Sequence, residues 1–272
     1  MAKKVLFINQ EIDPYVAESH MSIMGRELPQ KMQEAGFEIR TFMPKWGTIN
    51  ERRGQLHEVI RLSGMNLIID DTDHPLIIKV ASIPTTRQQI YFIDNDDYFK
   101  SRQMGTDENG KEYADNGERA IFFARGVLET VKKLRWCPDV IHCHGWMTAL
   151  APLYIKKAYK DEPSFRGSKV VFSLYEEDFK EALQPEFPTK LMLKGIAKKD
   201  VANLKTPIDY VELCKLAIDY SDGVVLQSDK VNEKLVNYAK ETGKLILEPQ
   251  DPDNFAEACN NFYDQVWENS QE

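Results

Sequence analysis

The chain has 272 residues, of which 42% are hydrophobic and 29% charged, and its formal net charge is −8. The composition is typical of a globular protein in water, and the acidic excess argues against general nucleic-acid binding and against attachment to an anionic membrane. Because no apolar run has the form of a signal peptide or the length of a membrane span, we expect a cytoplasmic protein. The four cysteines show no disulfide or zinc spacing, so we expect free, mostly buried thiols.

The N-terminal segment predicts one β-α-β unit. A continuous apolar run over 4–9 is typical of a parallel strand covered on both faces. Apolar residues at helical spacing over 22–35 predict a helix that ends at Gly36, and a second strand follows over 37–44.

The next segment predicts a change to antiparallel structure. The stretches "EVIRLSG", "MNLIID", "PLIIKVASI" and "QQIYFID" are short, rich in β-formers and separated by polar turns. A polar loop is expected over 95–111, followed by a long helix over 116–134.

Strands and helices alternate in the rest of the chain. Strands are predicted over 140–144, 169–174, 223–228 and 244–247, and helices over 146–159, 208–220, 231–242 and 253–267. This alternation predicts an α/β fold with a doubly wound, mostly parallel sheet, in a single domain over 1–272. In such a sheet, ligands bind beyond the carboxyl ends of the strands.

One of those strand ends reads "DVIHCHGW", and its residues allow several interpretations. His142 and His144 point to the same face, but a metal site would need further ligands there, so we expect no metal. Cys143 points to the other face, which disfavours a cysteine nucleophile with a histidine base. A hydrogen-bonded histidine at the floor of a pocket is the favoured interpretation, with a sugar-contacting role as the alternative.

Several stretches together resemble a known family. These are "KVLFINQEIDPYV", "GFEIRTFMPKWG", "IYFIDNDDYF", "YADNGERAIFFARGVLE" and "CPDVIHCHGWMTALAPLYIK". Their order and spacing are similar to the N-terminal lobe of ADP-glucose-dependent glycogen and starch synthases, glycosyltransferase family 5. The resemblance is clearest over 4–156. It implies one Rossmann-like lobe of a two-lobed GT-B glycosyltransferase, and the helix ending near residue 268 would match the family helix that packs back on this lobe.

The resemblance also implies that the donor-phosphate loop is degenerate. The family has Lys-x-Gly-Gly-Leu after the first strand, where the lysine meets donor phosphate and the glycines let backbone N–H groups approach it. The corresponding stretch here is "AESHM". Ala17 replaces the lysine, Ser19 and His20 replace the glycines, and Glu18 adds a negative charge. We therefore expect the phosphate cradle to be lost.

On the sugar side the resemblance is partly kept. Asp115 and Asn116 match a family aspartate and asparagine, His142 matches the histidine that meets the transferred sugar, and Gly145 replaces a family aspartate. Because helix and strand both lead to one crevice, we expect Asp115 and His142 to lie together. From the residues alone, Asp115 is also a candidate N-cap. The run 176–178, Glu-Glu-Asp, is interpreted as a solvated acidic loop rather than paired catalytic carboxylates.

The family extends an α-1,4-glucan from ADP-glucose with retention and without a metal or other cofactor. The resemblance therefore implies a degenerate relative in glycogen metabolism, catalytically silent by itself, that acts in binding or regulation. The alternatives are a transferase subunit completed by a partner, or a scaffold or small-ligand binder. Expected ligands are α-glucan or a nucleotide sugar. A protein partner or second copy would dock on the strand-end face, for which Tyr15, Trp46 and Trp146 are candidate apolar contacts.

Overall fold

The computed structural model describes residues 3–84, 86 and 88–269, and the predicted domain limits at 1 and 272 lie outside that part of the chain. Strands and helices alternate through most of it. The strands are β1 (Lys4–Asn9), β2 (Glu38–Pro44), β3 (His57–Glu58), β4 (Met65–Ile69), β5 (Thr72–Ser82), β6 (Gln89–Asp94), β7 (Val140–His144), β8 (Lys169–Leu174), β9 (Gly223–Leu226) and β10 (Leu245–Leu247). The helices are α1 (His20–Glu34), α2 (Asn116–Lys133), α3 (Ala151–Leu153), α4 (Phe187–Lys190), α5 (Tyr210–Asp219), α6 (Glu233–Glu241) and α7 (Phe255–Glu268).

The strands form one mixed sheet in the order β10-β9-β8-β7-β1-β2-β6-β5-β3, and β4 pairs with β5 beside this path. The pairs from β10 through β6 are all parallel, whereas β5 pairs antiparallel with β6, β3 and β4. The expected mostly parallel α/β sheet is therefore confirmed. Its β1 lies at the centre, between β2 and β7, so the carboxyl ends of β1, β7 and β8 are neighbours.

Two apolar layers cover the sheet. Alternate side chains of β1 and β7, such as Phe7 and Val140, pack against α1 and α7. The intervening side chains, such as Ile8 and Cys143, pack in the larger core with α2 and α5. Since successive strand residues point to opposite faces, each side chain of β7 is assigned to one layer. The helix predicted over 253–267 is α7, and it contacts α1 and β10.

Two predicted elements differ in the structure. The stretch "EVIRLSG" contributes only its first residue to β3 and then turns, because Val59 accepts hydrogen bonds from the backbone N–H groups of Leu62 and Ser63. The helix predicted over 146–159 is divided into a 3-10 turn, the short α3 and a π turn. Pro152, in the first turn of α3, lacks the N–H that a continuous helix would use.

Among the described helices, none combines the length and apolar character needed to cross a membrane.

Candidate functional site

A hydrogen-bonded network fills the junction of the central strand ends. The Glu177 carboxylate, after β8, accepts from the backbone N–H of Trp146 at 2.8 Å and from the Gln10 side-chain amide at 3.2 Å. Gln10 follows β1, and its Oε1 accepts from the N–H of Met147 at 3.0 Å. Gly145 adopts φ +91°, and a Cβ there would lie 2.7 Å from Gln10 Oε1. Gln10 therefore occupies the space that a side chain at position 145 would need.

This network carries the most strongly perturbed carboxyl at the strand ends. The pKa of Glu177 is raised to about 8, mainly by burial and to a smaller extent by the charges of Glu11 and Asp178. Its two hydrogen bonds act in the opposite direction, since they favour the charged form. Glu176 and Asp178 are exposed, as expected for a solvated acidic loop, but that prediction is wrong for Glu177, because its carboxyl is held in this network.

His142 is a fully buried core residue. Its Nδ1 lies 2.7 Å from the Tyr263 hydroxyl and its Nε2 lies 2.7 Å from Ser173 Oγ. Burial, followed by the neighbouring His144, lowers the pKa of His142 well below its usual value, so the ring is neutral. Both ring nitrogens are thus hydrogen-bonded inside the protein, and neither is presented to a ligand.

His144 lies two residues after His142 in β7, nearer the carboxyl edge of the sheet. Its Nδ1 is 2.8 Å from the Tyr175 hydroxyl, and burial lowers its pKa to about 3. Its buried Nε2 has no hydrogen-bond partner among the described residues. The rings of His142 and His144 are 4.0 Å apart, which agrees with the prediction that they share a face. Of the two histidines, His144 therefore keeps the free nitrogen.

Asp115 is the N-cap residue of α2, as predicted, but its side chain makes no capping hydrogen bond. Its carboxylate is bound instead by the Arg102 guanidinium, with Nη1 2.7 Å from Oδ2, and this fork holds it away from the helix. Asn116 donates to the Gly105 carbonyl at 2.8 Å and accepts from Arg119 at 2.9 Å. Both residues carried over from the sugar subsite therefore bind the preceding loop.

The expectation that Asp115 and His142 meet in one crevice is also wrong. His142 faces the layer of α1 and α7, where it bonds Tyr263 of α7. Asp115 lies at the start of α2, whose apolar residues pack with Cys143 on the opposite face. Adjacent residues of β7 point to opposite faces, so a residue facing α7 cannot also face α2.

The loop over 17–20 is built as a helix cap. Ser19 Oγ accepts from the N–H of Ser22 at 3.0 Å, and Ser22 Oγ accepts from the N–H of Ser19 at 2.8 Å, which together form a capping box. Ser19 Oγ also donates to the Glu11 carboxylate at 2.5 Å. Ala17, Glu18 and His20 are exposed beside it. A serine and a carboxylate thus occupy the N-terminus of α1, where an anion would otherwise bind.

The three aromatic residues expected on an open face are buried instead. Trp46 is fully buried and donates from Nε1 to the Gln10 carbonyl at 2.9 Å. Tyr15 packs edge-on against Phe92, and Trp146 packs in the same way against Phe179. They are core packing, so they supply no apolar docking face.

The described residues contain no cluster of three or more His, Cys, Asp or Glu side chains placed to hold a metal ion. Cys143, Cys214 and Cys259 are buried and Cys137 is exposed, all as free thiols. Burial raises the pKa of the Cys143 thiol, which disfavours the thiolate that a nucleophile needs.

Comparison with known proteins identifies the family to which the chain belongs. The model of the starch synthase catalytic domain matches residues 4–246. The chain belongs to the starch synthase catalytic domain family. The resemblance read from the strand-end stretches is therefore confirmed.

Relatives and a solved structure of this family agree with that assignment. The chain is 34% identical to a glycogen synthase of Pelodictyon phaeoclathratiforme over 91% of its own length and 50% of the relative's. It is 35% identical to a glycogen synthase of Chlorobaculum tepidum, covering 86% of this chain and 47% of the relative. The chain spans about half the length of the curated relatives it matches. The catalytic domain of starch synthase IV from Arabidopsis thaliana, bound to ADP and acarbose, superposes with a TM-score of 0.73 at 16% identity, over 92% of this chain and 52% of that one.

The sequence analysis did not identify Gln10, Glu177 or Tyr263 as members of the internal hydrogen-bond networks of this chain. Gln10 directly follows an apolar strand and Glu177 follows another, so their position at strand ends was a usable signal. Tyr263 carried no local signal, because it lies 121 positions from His142 and appears in the sequence only as one residue of an apolar helix face.

Proposed function

We propose that this chain is a glycogen-synthase-like protein of glycogen metabolism that binds α-glucan and, by itself, transfers no glucose. The observation that carries the proposal is the closed N-terminus of α1, where Ser19 caps the helix and Glu11 binds Ser19. A donor pyrophosphate at this helix end would displace the cap and meet the Glu11 carboxylate. Ala17 supplies no compensating cation.

The strand ends, whose polar side chains are already hydrogen-bonded within the protein, support the same proposal. Glu177 and Gln10 hold each other across the ends of β8 and β1, and Asp115 is bound by Arg102. A sugar ring seated there would have to break these hydrogen bonds, and those of the Arg102–Asp115 ion pair are worth about 1.5–3 kcal/mol each. The glucan half of the proposal rests on family membership, and on the Arabidopsis relative bound to acarbose.

The direct test supplies radiolabelled ADP-glucose and glycogen to the purified chain, with a full-length glycogen synthase as the positive control. We expect no incorporation above the heat-inactivated sample. Incorporation by the pure chain would contradict the proposal. Incorporation that appears only after addition of a cell extract would favour a second proposal, a transferase completed by a partner that supplies the second lobe.

The matched variant restores the family loop as A17K/S19G/H20G. Each restored charge-assisted phosphate contact is worth about 1.5–3 kcal/mol, so we expect ADP to bind the variant about tenfold or more tightly than the parent by titration calorimetry. Equal ADP affinities of the variant and the parent would show that the degenerate loop is not the reason why the chain transfers no glucose. Retention of the parent chain on immobilised glycogen tests the glucan half separately.

A further inference from the structure

A hydroxyl, an imidazole and a carboxylate lie in a row where the hairpin of β4 and β5 meets the loop after β6. Thr72 Oγ1 lies 2.7 Å from Nε2 of His74, and Nδ1 of that ring lies 2.9 Å from Oδ2 of Asp97. Thr72 and His74 are two positions apart on β5, so their side chains share a face. A hydroxyl bound to an imidazole, which is bound in turn to a carboxylate, is the arrangement that activates a nucleophilic hydroxyl.

The loop after β6 holds Asp97 in this position. The Asn95 side-chain oxygen accepts from the backbone N–H groups of Asp97 at 2.9 Å and of Tyr98 at 3.1 Å. The Asn95 amide donates to the Pro75 carbonyl at 2.9 Å, which ties the loop to the strand that carries His74. The Tyr98 ring packs on the His74 ring with 4.5 Å between their centroids. The fold therefore fixes both the carboxylate and the imidazole.

The two nitrogens of His74 are placed for a proton transfer from Thr72. In the neutral ring, Nδ1–H donates to Asp97, which leaves Nε2 as an acceptor. Burial and nearby carboxylates raise the pKa of Tyr98, so its hydroxyl, 3.1 Å from Nε2, keeps its proton and donates to the same nitrogen. Thr72 Oγ1 has a second acceptor, the Ile69 carbonyl at 3.1 Å. Of the two acceptors, Nε2 is the nearer, and it is the one that can take up the proton.

The exposure of these groups allows a reaction at Thr72. His74 is buried, with 8% of its surface exposed, whereas Thr72 is exposed at the start of β5. Another histidine–hydroxyl pair of this chain, His142 with Ser173, is buried and has Tyr263 rather than a carboxylate at Nδ1. A dissolved reagent can therefore reach Thr72 but not Ser173.

The charge around Thr72 limits which reagents can approach it. Asp71 and Asp73, its neighbours in sequence, are exposed, and the Asp97 side chain is 62% exposed. Their negative charges repel an anionic acyl donor, such as an acyl phosphate, and favour a neutral or cationic one. We infer that Thr72 is a nucleophile that takes the acyl group of a neutral or cationic carboxylic ester, a reaction that goes beyond the glucan binding proposed above.

The acyl transfer needs no reagent beyond the ester and water. Thr72 Oγ1 forms a bond to the acyl carbon, and the bond from that carbon to the ester oxygen breaks. The Oγ1 proton passes to His74 Nε2 and from there to the departing oxygen, so the products are O-acyl-Thr72 and an alcohol. Water activated by the same nitrogen then releases the acyl group as a carboxylic acid. Asp97 is a positioning residue, since it acts through the imidazole, which it orients and whose positive charge it stabilises.

The test measures the release of p-nitrophenolate from p-nitrophenyl acetate, a neutral ester, by the parent chain, Thr72→Val and Thr48→Val. Thr48 is the matched control, because it is an exposed threonine for which the described residues provide no hydrogen-bonded histidine. Amines and the exposed thiol of Cys137 also react with this ester, but they are common to all three proteins. We expect slower release from Thr72→Val and the parental rate from Thr48→Val. Equal release from all three proteins would overturn the inference.

Two more variants separate a reaction from a purely structural role of the three side chains. Asp97→Asn changes a mostly exposed carboxylate, so the thermal unfolding midpoint should stay close to that of the parent. The part of the release that depends on Thr72 should nevertheless fall about a hundredfold or more, since a general base contributes about 10²–10⁴-fold and the carboxylate holds it in the productive tautomer. Thr72→Ser keeps the hydroxyl and should keep that release. Parental release from Asp97→Asn, or release from Thr72→Ser as slow as that from Thr72→Val, would overturn the inference.

Discussion

Tyr263→Phe should destabilise the protein through one buried hydrogen bond. The Tyr263 hydroxyl lies 2.7 Å from Nδ1 of His142, and both side chains are fully buried. The arrangement fits a neutral ring that donates from Nδ1 to Tyr263 and accepts at Nε2 from Ser173, whose Oγ itself accepts from Gln227. Phenylalanine keeps the ring, and its edge-on packing on His142, but leaves Nδ1 without a partner.

An unsatisfied buried polar group costs about 1–3 kcal/mol. For a chain of this size that corresponds to a fall of about 2–10 °C in the thermal unfolding midpoint. Urea unfolding followed by circular dichroism gives the free energy directly. Tyr15→Phe is the matched control, because the Tyr15 hydroxyl is buried without a hydrogen-bond partner among the described residues. That change should be neutral or stabilising. If both variants unfold at the same urea concentration, the His142–Tyr263 bond contributes nothing.

Two further outcomes follow from titratable groups. The pKa of Glu177 is about 8 in the folded state against a usual 4.5, so the folded state binds the proton more tightly, and its stabilising contribution is complete below about pH 4.5 and is lost as the pH rises to 8. Wild type should therefore lose up to about 1.4 kcal/mol of unfolding free energy per pH unit relative to Glu177→Gln in urea unfolding across that window. The variant of the exposed neighbour, Glu176→Gln, keeps Glu177 and should follow wild type, and a Glu176→Gln protein that follows Glu177→Gln instead would refute the assignment. A thiol reagent should modify Cys137 rapidly in the native protein and all four cysteines after denaturation, and fast native labelling that persists in Cys137→Ser would contradict the described burial.

The strands were the most predictable part of this protein, for a physical reason. β1, β7 and β8 have the bounds expected from the sequence, because a strand covered on both faces reads as an unbroken apolar run between polar residues. The stretch after β3 failed this rule, since Ile60 is 75% exposed and its hydrophobicity indicated a strand that does not form. The prediction of one continuous helix over 146–159 was wrong because a pattern of apolar residues does not show that Pro152 lacks a backbone N–H.

The candidate site was less predictable than the fold. The family motifs located the strand ends correctly, but motif identity does not state which way a side chain faces. Period-two alternation places His142 opposite Cys143, yet only the structure shows which of them faces α2. The partner of Asp115 was likewise hidden, because Arg102 lies 13 positions away in a loop with no periodic pattern. Pairings of this kind depend on tertiary packing.

The position of α7 has a consequence for synthesis on the ribosome. This helix covers one face of β1, β7 and β8, strands that are translated well before it. A nascent chain that has emerged only as far as β10 therefore leaves apolar side chains such as Phe7, Val140 and Val171 without their cover. Exposed apolar surface on a partly folded chain is what chaperones bind and what promotes aggregation. The sheet can assemble strand by strand during translation. The face that carries α1 is fully covered only when α7 packs on it and Tyr263 bonds His142.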